Sequence, residues 1–297
     1  MIQYGMRAHD ICKKSGMEKV FDSAASLGIR YLQLAMGKSF SEPDTGFGHF
    51  SDGLCDRIRS ELAARGLHVS VLGSYINPAN PNEEKRLSEL ERFIEMLKYA
   101  KGIGADLVGT ETGRFSEDFR VTEETETERC YETMLDSFLR IRQAAEKLGV
   151  RVGIEGVYNH TLSNPQKIER FLRDIDSPNF DIILDGVNII TPESKGKPEE
   201  QNRIIRECFE RFGSRISVIH LKDGDFTEGR EQIFCRPGKG VFCYEELMRQ
   251  LSLKKPCIVG ILENSSPESF REDCDYLEEQ YQRYRADRTK GNNSNLH

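Results

Sequence analysis

Apolar and polar positions along this chain follow two periods that take turns. Runs that alternate or are continuously apolar, over residues 2–8, 29–36, 67–72, 107–111, 150–155, 180–185, 216–221 and 257–263, predict strands. Between them apolar residues recur every three or four positions: Val20, Phe21, Ala24 and Leu27; Leu87, Leu90, Ile94 and Leu97; Met134, Phe138, Ile141 and Ala145; Ile204, Ile205, Cys208, Phe209 and Phe212. These stripes predict helices that bury one face. Gly28, Gly66, Gly102 and Gly149 stand where stripes stop. Asn164-Pro165 and Ser266-Pro267 each place a capping side chain before a proline at the first helical position. Residues 37–53 are polar and glycine-broken and predict a long loop; residues 114–128 predict a charged one. About eight strands and eight helices in alternation predict an α/β fold, a single-domain (β/α)8 TIM barrel over residues 1–286. A doubly wound open sheet satisfies the same alternation without closure. The polar tail, 287–297, is expected to be flexible.

Four of these strands end in side chains that bind metals: Glu155, Asp185, His220 and Glu263. In a closed barrel the C-terminal ends of parallel strands share one face, so the four are expected to converge there. Ile216, Val218 and His220 fall on one side of their strand, and an imidazole buried in that position needs a partner. Each acid taken singly is as well explained by pairing with Lys or Arg. Taken together, that much negative charge requires a cation. Three oxygen donors, one nitrogen and no thiolate suit one divalent ion: Mn²⁺, Co²⁺, Mg²⁺ or Zn²⁺. His9, Gln33, Ser74 and Glu111 end earlier strands and are candidates to touch a substrate, while His160 follows Glu155 closely enough to line the same mouth or to cap the next helix. Tyr158 is expected to pack. The glycine-bracketed turn Arg236-Pro-Gly-Lys-Gly240 is expected to bring Arg236 and Lys239 over the mouth, to hold a hydroxyl, carboxylate or phosphate.

Composition narrows the field. Lys and Arg number 42 and Asp and Glu 49, a formal charge of −7, which argues against general affinity for nucleic acid or an anionic membrane. The eight cysteines form no Cys-x-x-Cys and lie mostly in apolar stretches, as free thiols of a reducing compartment do. Met1 to Arg7 has no apolar signal core and no run of about 18 apolar residues occurs, so a cytoplasmic protein is expected. Gly-x-Ser-x-Gly, His-Glu-x-x-His and the P-loop are absent, which lowers the case for serine hydrolase, zincin or nucleotide hydrolase chemistry.

Ile154-Glu-Gly, Leu184-Asp-Gly-Val-Asn188, Ile219-His-Leu-Lys-Asp223, Arg236-Pro-Gly-Lys-Gly240 and Leu262-Glu263 together resemble the xylose-isomerase-like TIM-barrel superfamily of sugar phosphate isomerases and epimerases. The sharpest part is the segment from His-Leu-Lys-Asp to Pro-Gly-Lys-Gly. In its ketose 3-epimerase branch, the resemblance implies that Glu155, Asp185, His220 and Glu263 hold one divalent metal, often Mn²⁺. It implies that Glu155 and Glu263 are the acid/base pair acting on a small sugar or polyol. Arg236, Asn188, His160, Glu111 and Lys239 are then the expected substrate contacts, and pairing of copies through barrel-face loops is implied as well. One departure bears on the substrate: epimerases of this type have Asp-x-x-His, whereas Asn188 follows Asp185 here and cannot carry charge. Two alternatives stay open, an inosose-type dehydratase using the same metal and base, and a sugar-binding barrel that has lost turnover. The DNA-repair endonuclease IV branch needs several metals and many histidines, and this acidic chain has six.

Overall fold

Every predicted strand forms, and each pairs in parallel with its sequence neighbours. The computed structural model describes residues 1–285, so the predicted tail lies outside the described residues. The barrel strands are β1 (Ile2–Arg7), β2 (Tyr31–Leu34), β3 (His68–Gly73), β4 (Leu107–Glu111), β5 (Val152–Glu155), β6 (Phe180–Asp185), β7 (Ile216–Leu221) and β8 (Ile258–Leu262). β1 pairs with β2 on one side and with β8 on the other, in register from Ile2↔Ile258 to Met6↔Leu262, so the sheet closes and the open-sheet alternative is excluded.

The outer ring is α1 (Met17–Ser26), α2 (Asp52–Ala64), α3 (Glu83–Ile103), α4 (Glu128–Leu148), α5 (Pro165–Ile175), α6 (Pro198–Phe212), α7 (Glu245–Lys254) and α8 (Phe270–Arg285). The local signals act as expected at several ends. The Asn164 side chain accepts from the Lys167 N–H with Pro165 at the first helical position, and Gly149 closes α4 at φ +60°. At Ser266-Pro267 the helix proper starts later, at Phe270, after a turn in which the Phe270 N–H donates to the Ser266 carbonyl at 2.9 Å. None of the described helices is long and apolar enough to cross a membrane. All eight cysteines are free thiols.

Two segments are more regular than the sequence predicts. Within the expected loop 37–53, Phe40–Glu42 pairs with Ser15–Gly16, because Phe40 is buried edge-on against Phe21 at 5.6 Å. After β7 the chain folds into an antiparallel hairpin, Asp223–Phe226 with Gln232–Cys235, which stands over the barrel mouth.

Side-chain alternation divides the interior. Leu32, Val108, Ile154, Leu184, Ile219 and Leu262 belong to the large core between sheet and helices. Val71, Leu107, Ile183, Val218 and Ile261 form a separate apolar layer inside the barrel. Two residues beyond Ile183, Val218 and Ile261 on the same inward face come Asp185, His220 and Glu263; Glu155 stands in the same relation to Gly153. Gly153 leaves room for that apolar layer, since a Cβ there would lie 2.7 Å from Leu107 Cδ1 and 2.9 Å from Ile183 Cδ1. Gly153→Ala is therefore expected to lower stability by about 1–3 kcal/mol in urea denaturation through overpacking. An unchanged midpoint would show that the layer has slack.

Candidate metal centre

β5 to β8 deliver Glu155, Asp185, His220 and Glu263 to one point just above the apolar layer, each between 1 % and 4 % exposed. His220 Nδ1 lies 3.3 Å from Glu155 Oε2, 3.3 Å from Glu263 Oε1 and 3.9 Å from Asp185 Oδ2. One ligand atom each from Glu155, Asp185 and His220 falls within 4.8 Å of the other two.

Glu155 and Glu263 are each tethered by one oxygen, and Asp185 is engaged at both. Asp185 caps the short turn Gly186–Ile189, its Oδ1 accepting from the Val187 and Asn188 N–H groups at 2.9 Å each. Asn188, placed by that turn, donates from Nδ2 to Glu155 Oε1 at 2.6 Å. Glu263 Oε2 is held by Lys222 Nζ at 2.9 Å and by Arg7 Nη1 at 3.3 Å. Glu155 Oε2 and Glu263 Oε1 are left facing the imidazole, and Asp185 Oδ2 faces both the imidazole and Lys222 Nζ, 2.9 Å away.

Among the described residues neither ring nitrogen of His220 has a hydrogen bond of good geometry, although Nδ1 stands within ion-pair distance of Glu155 and Glu263. Leaving a buried polar group unpaired costs about 1–3 kcal/mol, and desolvating each carboxylate costs several kcal/mol more. One ion pair near 4 Å returns roughly 4 kcal/mol at an effective dielectric of about 20. Lys222 reaches Asp185 and Glu263 and Arg7 reaches Glu263, but among the described residues no Lys or Arg pairs with Glu155. The two oxygens and one nitrogen that Glu155, Asp185 and His220 bring together suit a divalent ion.

The protonation equilibria respond to the same crowding. Burial pulls the His220 imidazole down, but Glu155 and Glu263 overcome it and hold its pKa up at about 9. Burial pushes the Asp185 carboxyl above its ordinary range, with Lys222 opposing and Glu155 and Glu263 reinforcing the rise. Burial acts in the same direction on Glu263, yet Lys222, His220 and Arg7 outweigh it and keep that carboxylate ionised far below the usual range. Burial disfavours the Lys222 ammonium, but Asp185 and Glu263 hold it charged.

Glu155, Glu263 and Lys222 line an open cavity of about 1140 Å³, and Asp185 and His220 are not among its lining residues. Asn188, His160 and Glu111 line it, and so do His9 and Gln33. Ser74 is not among the lining residues. Burial and the neighbouring Glu155 raise the Glu111 carboxyl to about 7. His160, its Nδ1 3.7 Å from Glu111 Oε2, is held neutral by burial and by Arg114, with a pKa of about 3. His160 is not the cap of α5, which is Asn164. Tyr158 packs edge-on against Phe226 and also lines the cavity.

Arg236 and Lys239 are placed elsewhere. Asp223 gathers the Gly224 and Phe242 N–H groups on its Oδ1 at 2.8 and 2.9 Å, and the Val241 N–H bonds the Gly224 carbonyl. This draws the 236–242 loop down beside α8, where Arg236 pairs with Glu272 at 2.8 Å and Asp273 at 3.0 Å and Lys239 stands 3.6 Å from Glu272. In their stead the structure brings in Lys222 and Arg7. Lys222 carried a sequence signal, since it follows His220 by two positions and so shares its inward face. Arg7 carried the same kind of signal at the end of β1.

A comparison with curated proteins finds no match. Among solved structures, an L-ribulose 3-epimerase superposes with a TM-score of 0.73 at 13% identity, over 100% of this chain and 99% of that one. The IOLI protein, solved with a bound zinc atom, superposes at 0.68 with 15% identity over 96% and 99% of the two chains. A 3-keto-D-glucoside 4-epimerase from E. coli superposes at 0.66 with 14% identity over 94% and 99%. At such identities the likeness shows the fold alone. The sequence profile of the family described as xylose isomerase-like TIM barrel matches residues 21–280. The chain therefore belongs to the xylose isomerase-like TIM barrel family.

Proposed function

We propose that this barrel is a divalent-metal-dependent isomerase or epimerase of a small sugar or sugar derivative, working by proton transfer through an enediolate. The observation that carries the reading is the convergence of Glu155, Asp185, His220 and Glu263 on one buried point beside a polar cavity that Glu155 and Glu263 line. The names of its structural neighbours, two of them epimerases and one holding zinc, support the reaction class and a metal. The four side chains would hold the ion, with Mn²⁺ the first choice and Co²⁺, Mg²⁺ and Zn²⁺ the alternatives. When bound, such an ion supplies Lewis acidity beside a sugar carbonyl and so acidifies the adjacent C–H.

The remaining work falls to the chain's own groups. One of Glu155 and Glu263 takes the proton from the substrate carbon, and the other returns one, to the opposite face in an epimerisation. Lys222 and Arg7 keep Glu263 in the ionised form that a base requires. The Asn188 amide fixes one Glu155 oxygen and so aims the other. Gln33, Asn188 and His160 offer neutral donors and acceptors for hydroxyl groups along the wall. A second reading, dehydration, is favoured by Glu111, a third carboxyl on that wall able to protonate a departing hydroxyl. Product mass separates the two, because the dehydratase alone removes one water.

For the proton-transfer reading, turnover in deuterated water should place deuterium on the reacting carbon; an unlabelled product would point to a hydride shift. Glu155→Gln and Glu263→Gln should retain metal while kcat falls by roughly 10²–10⁴. Asp185→Asn and His220→Ala should instead lose metal, with activity partly restored by excess ion. Parent-level turnover in either Glu→Gln variant would rule out the carboxylate pair. The imidazole raised to about 9 adds a pH dependence. In the metal-free protein it is protonated below that pH and has to lose its proton before Nδ1 can bind. Apparent Mn²⁺ affinity measured by calorimetry should thus rise by about tenfold per pH unit between 6 and 9 and then level off; an affinity flat across that window would remove His220 from the ligand set.

A further inference from the structure

Lys222 is an ammonium 5% exposed at the heart of the centre. Its Nζ bridges Asp185 Oδ2 and Glu263 Oε2, 2.9 Å from each, and the Phe234 ring of the hairpin covers it at 4.2 Å. Tyr244 Oη donates to the Lys222 backbone carbonyl at 2.6 Å, fixing the stem from which the side chain projects. One cation shared by two carboxylates at ion-pair distance is the arrangement that a second ion makes in a two-metal site. The charges point the same way. Glu155, Asp185 and Glu263 bring three negative charges, and a single divalent ion answers two of them. Arg7 touches Glu263 alone of the three, from a position 20% exposed, whereas Lys222 is the buried cation that Asp185 and Glu263 share.

We infer that Lys222 is the second cation of this centre, a positioning residue that completes the charge balance around one divalent ion and takes the place of a second. The inference rests on the metal-dependent reading above. It has two consequences of opposite sign. The ammonium holds Asp185 and Glu263 together when no metal is bound, so it stabilises the metal-free protein. It also repels the incoming ion, so it weakens metal binding.

The test is a calorimetric titration with Mn²⁺ of the metal-free parent, Lys222→Gln and Lys222→Met at pH 8, with free Mn²⁺ counted by electron paramagnetic resonance. Urea denaturation of the same metal-free proteins accompanies it. Gln keeps a hydrogen-bond donor and drops the charge; Met drops both. The parent should bind one Mn²⁺. Both variants should bind it about tenfold or more tightly, as removal of a like charge a few ångströms away requires. Metal-free Lys222→Met should unfold at lower urea than the parent, and Mn²⁺ should close that gap. A Gln variant with parental affinity, beside a Met variant that binds more weakly, would make Lys222 a hydrogen-bonding clamp and overturn the inference. So would a parent that takes up two ions. A parent that binds no Mn²⁺ removes the metal reading itself and the inference with it, a pattern distinct from the other two. Should Lys222→Met fail to fold, the affinity of Lys222→Gln decides.

Discussion

Three carboxylates buried around one imidazole form an arrangement that survives only if something positive joins them, and much of the barrel serves that condition. Glu155, Asp185, His220 and Glu263 all face inward because alternation along β5 to β8 sets them two residues above the apolar layer or the glycine beside it. Closure by the β1–β8 pairing gives those strands a common mouth and also brings Arg7, at the end of β1, next to Glu263. The cost of gathering like charges is met by the apolar core outside the sheet, which the charged residues do not interrupt. Stability and chemistry are thus drawn from different faces of the same strands.

The segments that leave the strand ends do the finer aiming. Asp185 both contributes to the centre and caps the turn that carries Asn188 back to Glu155, so one carboxylate orients another through two hydrogen bonds. Beyond β7, Lys222 ties Asp185 to Glu263 while its neighbour Asp223 organises the backbone of the following hairpin and loop. Adjacent residues of one motif therefore serve different purposes, one electrostatic and one architectural. Such supporting partners are what hold ligand oxygens at usable angles in metal sites generally.

Much of this was legible in the sequence because it depends on local rules. Strand and helix periods gave the alternation, Gly149 and Asn164-Pro165 marked helix ends, and the common C-terminal face of the strands pointed to the place where Glu155, Asp185 and His220 gather, with Glu263 3.3 Å from His220. Closure was expected, and the resemblance implied it, but alternation alone is common to open and closed sheets; the Ile2↔Ile258 register shows it. The loop with Arg236 and Lys239 was read from its glycines and charges and from the family resemblance. Its course is set by a distant carboxylate, that of Asp223, and by acceptors on α8, Glu272 and Asp273, which no local pattern reveals. The hairpin after β7 escaped for a related reason: Ile233 and Phe234 are exposed on one strand, and the other, Asp223–Phe226, is buried mostly at Asp and Gly, so no apolar alternation marks either. Lys222 was visible by parity with His220, and the strand-like reading stopped one residue short of using it.

The most direct measurement of the central claim is an anomalous-scattering map, recorded at the manganese edge, from crystals grown with Mn²⁺. The account predicts one peak on the barrel axis side of His220 Nδ1, in contact with Glu155, Asp185, His220 and Glu263 at the roughly 2.0–2.3 Å expected of oxygen and nitrogen ligands. A map with no peak at that point, or with density bound only elsewhere on the chain, would contradict it.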